Sequence, residues 1–327
     1  MTRTDVLPRD AIRSIDDPTF ASVHHGDPTD EAFVVDGDPP RAYPTRILDG
    51  HEIVNDVHSG VADHDAVDAG SGTGGSAVPI AVTWCPICAS GAVYDRRVGD
   101  RTLTFGVSGV LVDDALVMYD RETESEWRQT TGEAIAGDLE GTTLDALSVA
   151  VMPVGEFLEE HPDGEVLQPH RVQGDPAEAL RTTYESKRYR GYHLADDFGL
   201  RAMRGEGTER SWDRSDFGPK TPVIGIDRGD VAVGYPLPVV EDADGVLRDS
   251  VGSESIIVVA ADGRLHAFLD PGFSVERRDG GLRGDGTTWD PATGESEDGR
   301  QLERVVARHL YAFAWQDAHG PDSFYGR

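Results

Sequence analysis

Short apolar runs bounded by Gly, Asp or Pro set the rhythm of this chain. Ile80–Trp84 (IAVTW), Thr102–Val107 (TLTFGV), Ala115–Tyr119 (ALVMY), Ser148–Met152 (SVAVM) and Ile256–Ala260 (IIVVA) are of strand length and rich in β-branched, leucine or aromatic residues. Helical signals are fewer. A short helix is expected near Asp10–Ile15, and two more over Val154–His161 and Arg308–Ala318. Another is expected over Pro176–Tyr184, with Asp175 as N-cap and Pro176 at the first helical position. Residues 58–79, rich in Gly, Ser and Asp, read as a surface loop between two strands. Strands outnumber helices and no regular βαβ alternation is visible. The expected fold class is therefore α+β, β-rich and mostly antiparallel, with few short helices.

The pattern also repeats. Arg41–Leu48 (RAYPTRIL) matches Val233–Val240 (VGYPLPVV), each preceded by a strand-like run with a turn, Phe33–Gly37 and Val223–Gly229. Ile80–Trp84 then matches Ile256–Ala260, Tyr119–Thr123 (YDRET) matches Trp289–Thr293 (WDPAT), and Phe157–Asp163 matches Trp315–Asp322. The blocks keep one order, as expected of two diverged copies of one β unit. The boundaries read as a lead-in over 1–30, a first repeat over 31–168, a connector over 169–220 and a second, degenerate repeat over 221–327.

Charge narrows the partners. The chain of 327 residues carries 60 acidic against 30 basic residues, a net charge of −30. Acid spread along the whole length reads as a halophilic surface, because salt near 1 M shortens the Debye length to about 3 Å and screens the self-repulsion. Nucleic acid is excluded as a partner, since no basic footprint exists to displace counterions from phosphates. The longest apolar stretches fall far short of the roughly 20 residues of a membrane helix. The first residues, MTRTDVLPRDAIRS, hold no apolar signal-peptide core, and two cysteines make no disulfide framework, so a reducing, cytoplasmic setting is expected.

The strongest chemical motif is Trp84-Cys85-Pro86-Ile87-Cys88. Two cysteines at this spacing serve as a redox dithiol, as half of a metal site, or as packing at a strand edge. A thioredoxin-like arrangement needs the first thiol at a helix N-terminus, whereas the residues after Cys88 read as strand. A metal site needs further ligands, and His51 is the candidate third one. Cysteine with imidazole suits zinc or copper. Extending the repeat places Ala243 opposite His51 and Ala261 opposite Cys85, and the second copy has no cysteine. Joint loss of the three suggests that they belong to one site. Asp56 is a candidate to complete its shell and Asn55 to orient it, with Ser108 and Met118 as further second-shell candidates. Ser108 sits in FGVSG, half of a nucleophile elbow without its second glycine and helix, so a hydrolase is not expected. His161 and His319 read as helix-end residues, and Tyr43 and Tyr235 as packing against their prolines at a strand bend.

The runs HEIVND, VTWCPICASGAVYDR and FGVSGVLVDDALVMYDRETESEWRQTTGEAIAG resemble the family called domain of unknown function 3179, closely from about Phe33 to Leu167. Trp289–Gly294 and the Phe313-Ala314-Trp315 ending are similar to that family's C-terminal part. The resemblance highlights His51, Cys85 and Cys88 but implies no reaction. Family patterns read Trp-His-Glu where this chain has Gly50-His51-Glu52, and Cys-Gly-Ser where it has Cys88-Ala89-Ser90. The functional expectation is a metal-binding or redox site built by the first repeat, acting on a small molecule or a metal ion. The alternatives are a non-enzymatic ligand-binding or scaffold module with structural cysteines, and a thiol/disulfide switch. Whether the site turns over a substrate is left open by the residues.

Overall fold

The computed structural model describes residues 1–60, 77–170, 184, 189–278 and 280–326. Among the described residues strand accounts for 41% and helix for 14%, with six short helices and mostly antiparallel sheets, so the fold is α+β and β-rich. The chain divides into two compact units: Met1–Ile87 with Gly91–Gly207, and Cys88–Ser90 with Thr208–Arg327. No helix among the described residues is long and apolar enough to cross a membrane.

The first unit holds three sheets and a two-stranded ribbon. One sheet has the order β1 (Arg3–Asp5), β10 (Phe105–Val112), β11 (Ala115–Asp120), β12 (Glu126–Arg128) and β13 (Ala134–Ala136). A second runs β15 (Ala150–Pro153), β3 (Glu31–Val35), β4 (Arg41–Pro44), β16 (Glu165–Leu167) and β2 (Phe20–Ala21), with β4 and β16 parallel. The third joins β5 (Ile53–His58), β6 (Val78–Cys85) and β7 (Ser90–Asp95), with β14 (Ala146–Leu147) on β7. The ribbon is β8 (Arg97–Val98) with β9 (Arg101–Thr102). Among the described residues four helices complete the unit: α1 (Thr45–His51), α2 (Val154–Glu160), α3 (Arg190–Leu194) and α4 (Gly199–Arg204).

In the second unit β17 (Pro222–Asp227) lies between β18 (Ala232–Pro236) and β25 (Arg308–Tyr311), both antiparallel to it. Then come α5 (Leu237–Asp242) and the meander β19 (Val246–Val251), β20 (Glu254–Ala261), β21 (Arg264–Leu269). A second meander, β22 (Val275–Arg278), β23 (Gly281–Gly284), β24 (Thr287–Trp289), precedes β25, and α6 (Ala312–His319) follows it. Its cores gather Ile224, Tyr235, Val240, Ile256 and Val258 on one side of the first meander, and Ile257, Val259, Phe268 and Trp289 on the other. The alternation along β20 is what a strand covered on both faces requires.

Three sequence expectations change. No helix forms near Asp10–Ile15. Ile12 and Ile15 have helical spacing, but Ile15 is extended against β5: its N–H donates to the Ile53 carbonyl at 2.9 Å and its own carbonyl accepts from the Asn55 N–H at 2.8 Å. Tertiary pairing outweighs a weak local preference. In Arg308–Ala318 the first four residues form β25, because β17 offers an unpaired edge, and the helix begins at Ala312. Tyr43-Pro44 and Tyr235-Pro236 are not strand bends but strand-to-helix junctions. Each proline caps a short helix with φ near that of its ring constraint, −62° and −68°. The expected loop over 58–79 falls largely on residues 61–76, and the expected helix over Pro176–Tyr184 on residues 176–183; both stretches lie outside the described residues.

Candidate functional site

The Cys-x-x-Cys motif is a strand-end turn. Cys85 is the last residue of β6, Pro86–Ala89 form the turn, and β7 starts at Ser90. A reverse turn brings its first and fourth Cα atoms within about 7 Å, which covers the usual disulfide span of roughly 4.4–6.8 Å. Cys85 and Cys88 accordingly lie 3.1 Å apart, both buried and not joined by a disulfide. The turn is not a helix N-terminus, in keeping with the strand-like residues that follow it. It closes at Ala89, whose φ of 45° lies in the left-handed region. A Cβ there costs roughly 1–2 kcal/mol. The Ile87 carbonyl accepts the Tyr192 hydroxyl at 2.8 Å, and the Cys88 carbonyl accepts the Tyr311 N–H at 2.8 Å.

Beside Cys85 is a cavity of about 50 Å³. Val107, Leu111 and Leu116 of β10 and β11, Leu7 of the N-terminal segment and Met203 of α4 give it an apolar wall, and among the described residues Glu52 and Arg204 are its charged ones. Gly109 makes the wall. Its φ of 80° and its carbonyl, which accepts the Val6 and Leu7 N–H groups at 2.9 and 3.0 Å, hold the N-terminal segment over β10. A Cβ at Gly109 would stand 2.0 Å from the Leu7 carbonyl oxygen, so only glycine fits. Glu52 follows α1 in a left-handed conformation (φ 59°), and its carbonyl accepts the Trp84 N–H at 2.7 Å, which places it next to the strand end carrying Cys85. Cys88 is fully buried and is not part of the cavity lining.

The other candidate residues have different partners. His51 ends α1 with both ring nitrogens engaged. Nδ1 lies 2.7 Å from the Arg13 carbonyl, to which it donates, and Nε2 lies 2.6 Å from the Tyr184 hydroxyl, which also reaches the His170 carbonyl at 3.2 Å. Burial, with His170 nearby, lowers its pKa, so the imidazole is neutral and its single lone pair faces the Tyr184 hydroxyl at 2.6 Å. Burial likewise pushes the Tyr184 hydroxyl up to about 12, keeping it a donor. Asn55 is spent on the lead-in and β10: its amide donates to Asp16 at 2.7 Å and the Phe105 carbonyl at 2.8 Å, and its oxygen accepts the Phe105 N–H at 2.9 Å. Asp56 accepts the Tyr43 hydroxyl at 2.6 Å and Arg41 Nη1 at 2.9 Å. Ser108 Oγ donates to the Val117 carbonyl at 2.5 Å and accepts the Val110 N–H at 3.1 Å, filling the bulge between Val107 and Leu111. Met118 is buried core.

Among the described residues, no three of His, Cys, Asp or Glu gather in a way that could hold a metal ion. Zinc or copper would meet two thiolates here, short of the four ligands of a structural site or the three of a catalytic one. Among the described residues, the donor set falls short of a metal centre. It fits dithiol chemistry, which needs only two sulfurs that can reach each other and access to one of them. The cavity residues were not marked by the sequence pattern. Glu52, in HEIVND, was adjacent to a singled-out residue, but Leu7, Met203 and Arg204 come from segments remote in the chain and carry no local signal.

No curated protein and no solved structure matches the chain. The model of one protein family, described as Protein of unknown function (DUF3179), matches residues 9–323, nearly the whole length, and the chain belongs to that family.

Proposed function

We propose that this is a thiol–disulfide redox protein whose working pair is Cys85 and Cys88. The observation that carries the reading is their 3.1 Å approach within one tight turn, with Cys85 alone of the two lining an apolar cavity. Their proximity is set by four consecutive residues, so closing and opening a disulfide asks little of the rest of the fold. The engagement of both His51 nitrogens favours this over a metal site.

Residues 31–168 and 221–327 are, in the same reading, two copies of one ancestral unit, of which only the first carries the thiols. Five features support common descent. The strand orders β15-β3-β4 and β25-β17-β18 correspond. A Tyr-Pro helix junction ends each hairpin. Tyr43 donates to Asp56 at 2.6 Å as Tyr235 donates to Asp249 at 2.8 Å. Asp120 accepts the Thr123 N–H at 2.6 Å as Asp290 accepts that of Thr293 at 2.7 Å. Finally, β6 and β20 are both eight residues long, one ending at Cys85 and the other at Ala261.

The redox reading is tested by equilibrating the purified protein in dithiothreitol buffers of graded poise, quenching with an alkylating agent and mapping the peptides by mass spectrometry. A reversible two-electron transition linking Cys85 to Cys88 is expected. A pair that stays reduced at every poise, or a stoichiometric metal released by thiol alkylation, would overturn the reading.

A further inference from the structure

We infer that the two cysteines have unequal roles: Cys85 is the attacking thiol, Cys88 resolves the mixed disulfide, and the cavity beside Cys85 receives an apolar, uncharged arm of a disulfide substrate. This rests on the redox reading above and assigns its direction and substrate class.

The asymmetry lies in access. Both cysteines are buried in the static sense, 1% and 0% exposed, but Cys85 lines a partly open cavity and Cys88 does not. An incoming disulfide therefore meets Cys85 first. Cys88, which approaches Cys85 to 3.1 Å within the same turn, then needs no diffusion to meet the resulting mixed disulfide. Thiol–disulfide exchange requires a thiolate in line with the sulfur it attacks, and which sulfur is attacked depends on access.

The steps balance. The Cys85 thiolate attacks one sulfur of R–S–S–R, a Cys85–S–R bond forms, the substrate S–S bond breaks and the first R–S⁻ leaves. The Cys88 thiolate next attacks the Cys85 sulfur, the Cys85–Cys88 bond forms, and the second R–S⁻ leaves. Two electrons pass from the dithiol to the substrate, and the two protons lost by the cysteines are taken up by the two leaving thiolates.

The lining sets the class of R. Among the described residues its wall is apolar, and its one carboxylate, Glu52, is balanced by one guanidinium, Arg204, so these lining residues carry no net charge. At about 50 Å³ the cavity has room for a few water-sized groups, since roughly 10–15 Å³ of such volume holds one water. A short aliphatic arm fits, and a folded peptide does not. The net charge of −30 adds a long-range bias against anionic disulfides, which salt removes. The local preference for an apolar arm survives in salt.

The test uses the full chain in molar potassium chloride with two probes of similar size, neutral diethyl disulfide and the dianion dithiodiglycolate. Cys88→Ser is expected to stop at a mixed disulfide on Cys85. Cys85→Ser is expected to react far more slowly with either probe, and diethyl disulfide to react roughly tenfold faster than the dianion, as expected when about two carbons leave water. Should either variant fail to fold, the wild type answers alone: brief alkylation with N-ethylmaleimide followed by peptide mapping should find Cys85 modified before Cys88. If the wild type closes its disulfide but Cys88 is modified first, or the probes react at equal rates, the role and substrate assignment falls and the redox reading stands. If neither probe closes the disulfide, both fall.

Discussion

Replacing Tyr43 with phenylalanine isolates one hydrogen bond in a buried charged network, and its counterpart at Tyr235 provides an internal control. Tyr43 is fully buried, and its hydroxyl donates at 2.6 Å to Asp56, itself 5% exposed. Burial first, and then Asp56, push the Tyr43 pKa far up, so the hydroxyl keeps its proton at any working pH. Asp56 has Arg41 as its other side-chain partner at 2.9 Å, and the Val57 N–H occupies its second oxygen at 2.7 Å. Tyr43→Phe removes a donor to a carboxylate that water cannot readily reach. Bonds to charged groups contribute about 1.5–3 kcal/mol, and the orphaned acceptor places this case at the upper end, about 2–3 kcal/mol. At Tyr235 the bond to Asp249 is 2.8 Å long and Asp249 is half-buried, so water replaces the lost hydroxyl and Tyr235→Phe should cost about 1 kcal/mol. With two compact units, a single global transition is not assured. The assay is therefore peptide-resolved hydrogen exchange across a urea series, which reads the opening free energy of each unit separately. Equal costs at the two tyrosines, or a Tyr43→Phe cost below about 0.5 kcal/mol, would refute the argument from burial.

Three further outcomes follow from the same structure. Ala89→Gly relieves the left-handed strain at φ 45° and, after the greater chain entropy of glycine is subtracted, should raise stability by about 0.5–1 kcal/mol in denaturant titration; a loss of stability would show that Ala89 is not strained. Burial lowers the pKa of His266 well below the usual value and that of His309 to about 4. The unfolded chain then binds more protons than the folded one between about pH 6.5 and 4. The stability these neutral rings contribute is present above about pH 6.5 and lost as pH falls through the folded pKa, and His266→Leu should flatten that acid limb in thermal melts, whereas an unchanged limb would place the titration elsewhere. Finally, the net charge of −30 predicts a melting temperature that climbs between 0.1 and 1 M potassium chloride as the Debye length shrinks from about 10 to about 3 Å, and a flat response would remove the case for salt adaptation.

What was legible in the sequence was what local pattern can encode. The runs IAVTW and IIVVA are the centres of β6 and β20 because both faces of those strands are covered, and the helix after Met152-Pro153 begins where Val154 was expected to begin it. The Tyr-Pro pairs were visible as a repeat, but their meaning was not. A proline with φ near −65° suits a strand bend and a helix cap equally, and the choice is made by the core that α1 and α5 pack into, through Leu48 and Val240. At the site, the cysteine pair was legible because its geometry is contained in four residues. The expected convergence of His51 was not decidable from spacing. Its lone pair faces the hydroxyl of Tyr184, 133 positions away, and no local signal reports such a partner. The same holds for the cavity, which exists because Gly109 lets Leu7 lie across β10.

The central claim is that Cys85 and Cys88 give up two electrons together by joining in one disulfide bond. Carbon-13 labelling of cysteine, with both Cβ resonances followed through a thiol–disulfide titration, observes it at the atoms concerned. The account predicts that the two signals move together, at one potential and reversibly, from thiol to disulfide positions. Signals that stay at their thiol positions under oxidation, or that shift instead on adding zinc, would contradict it.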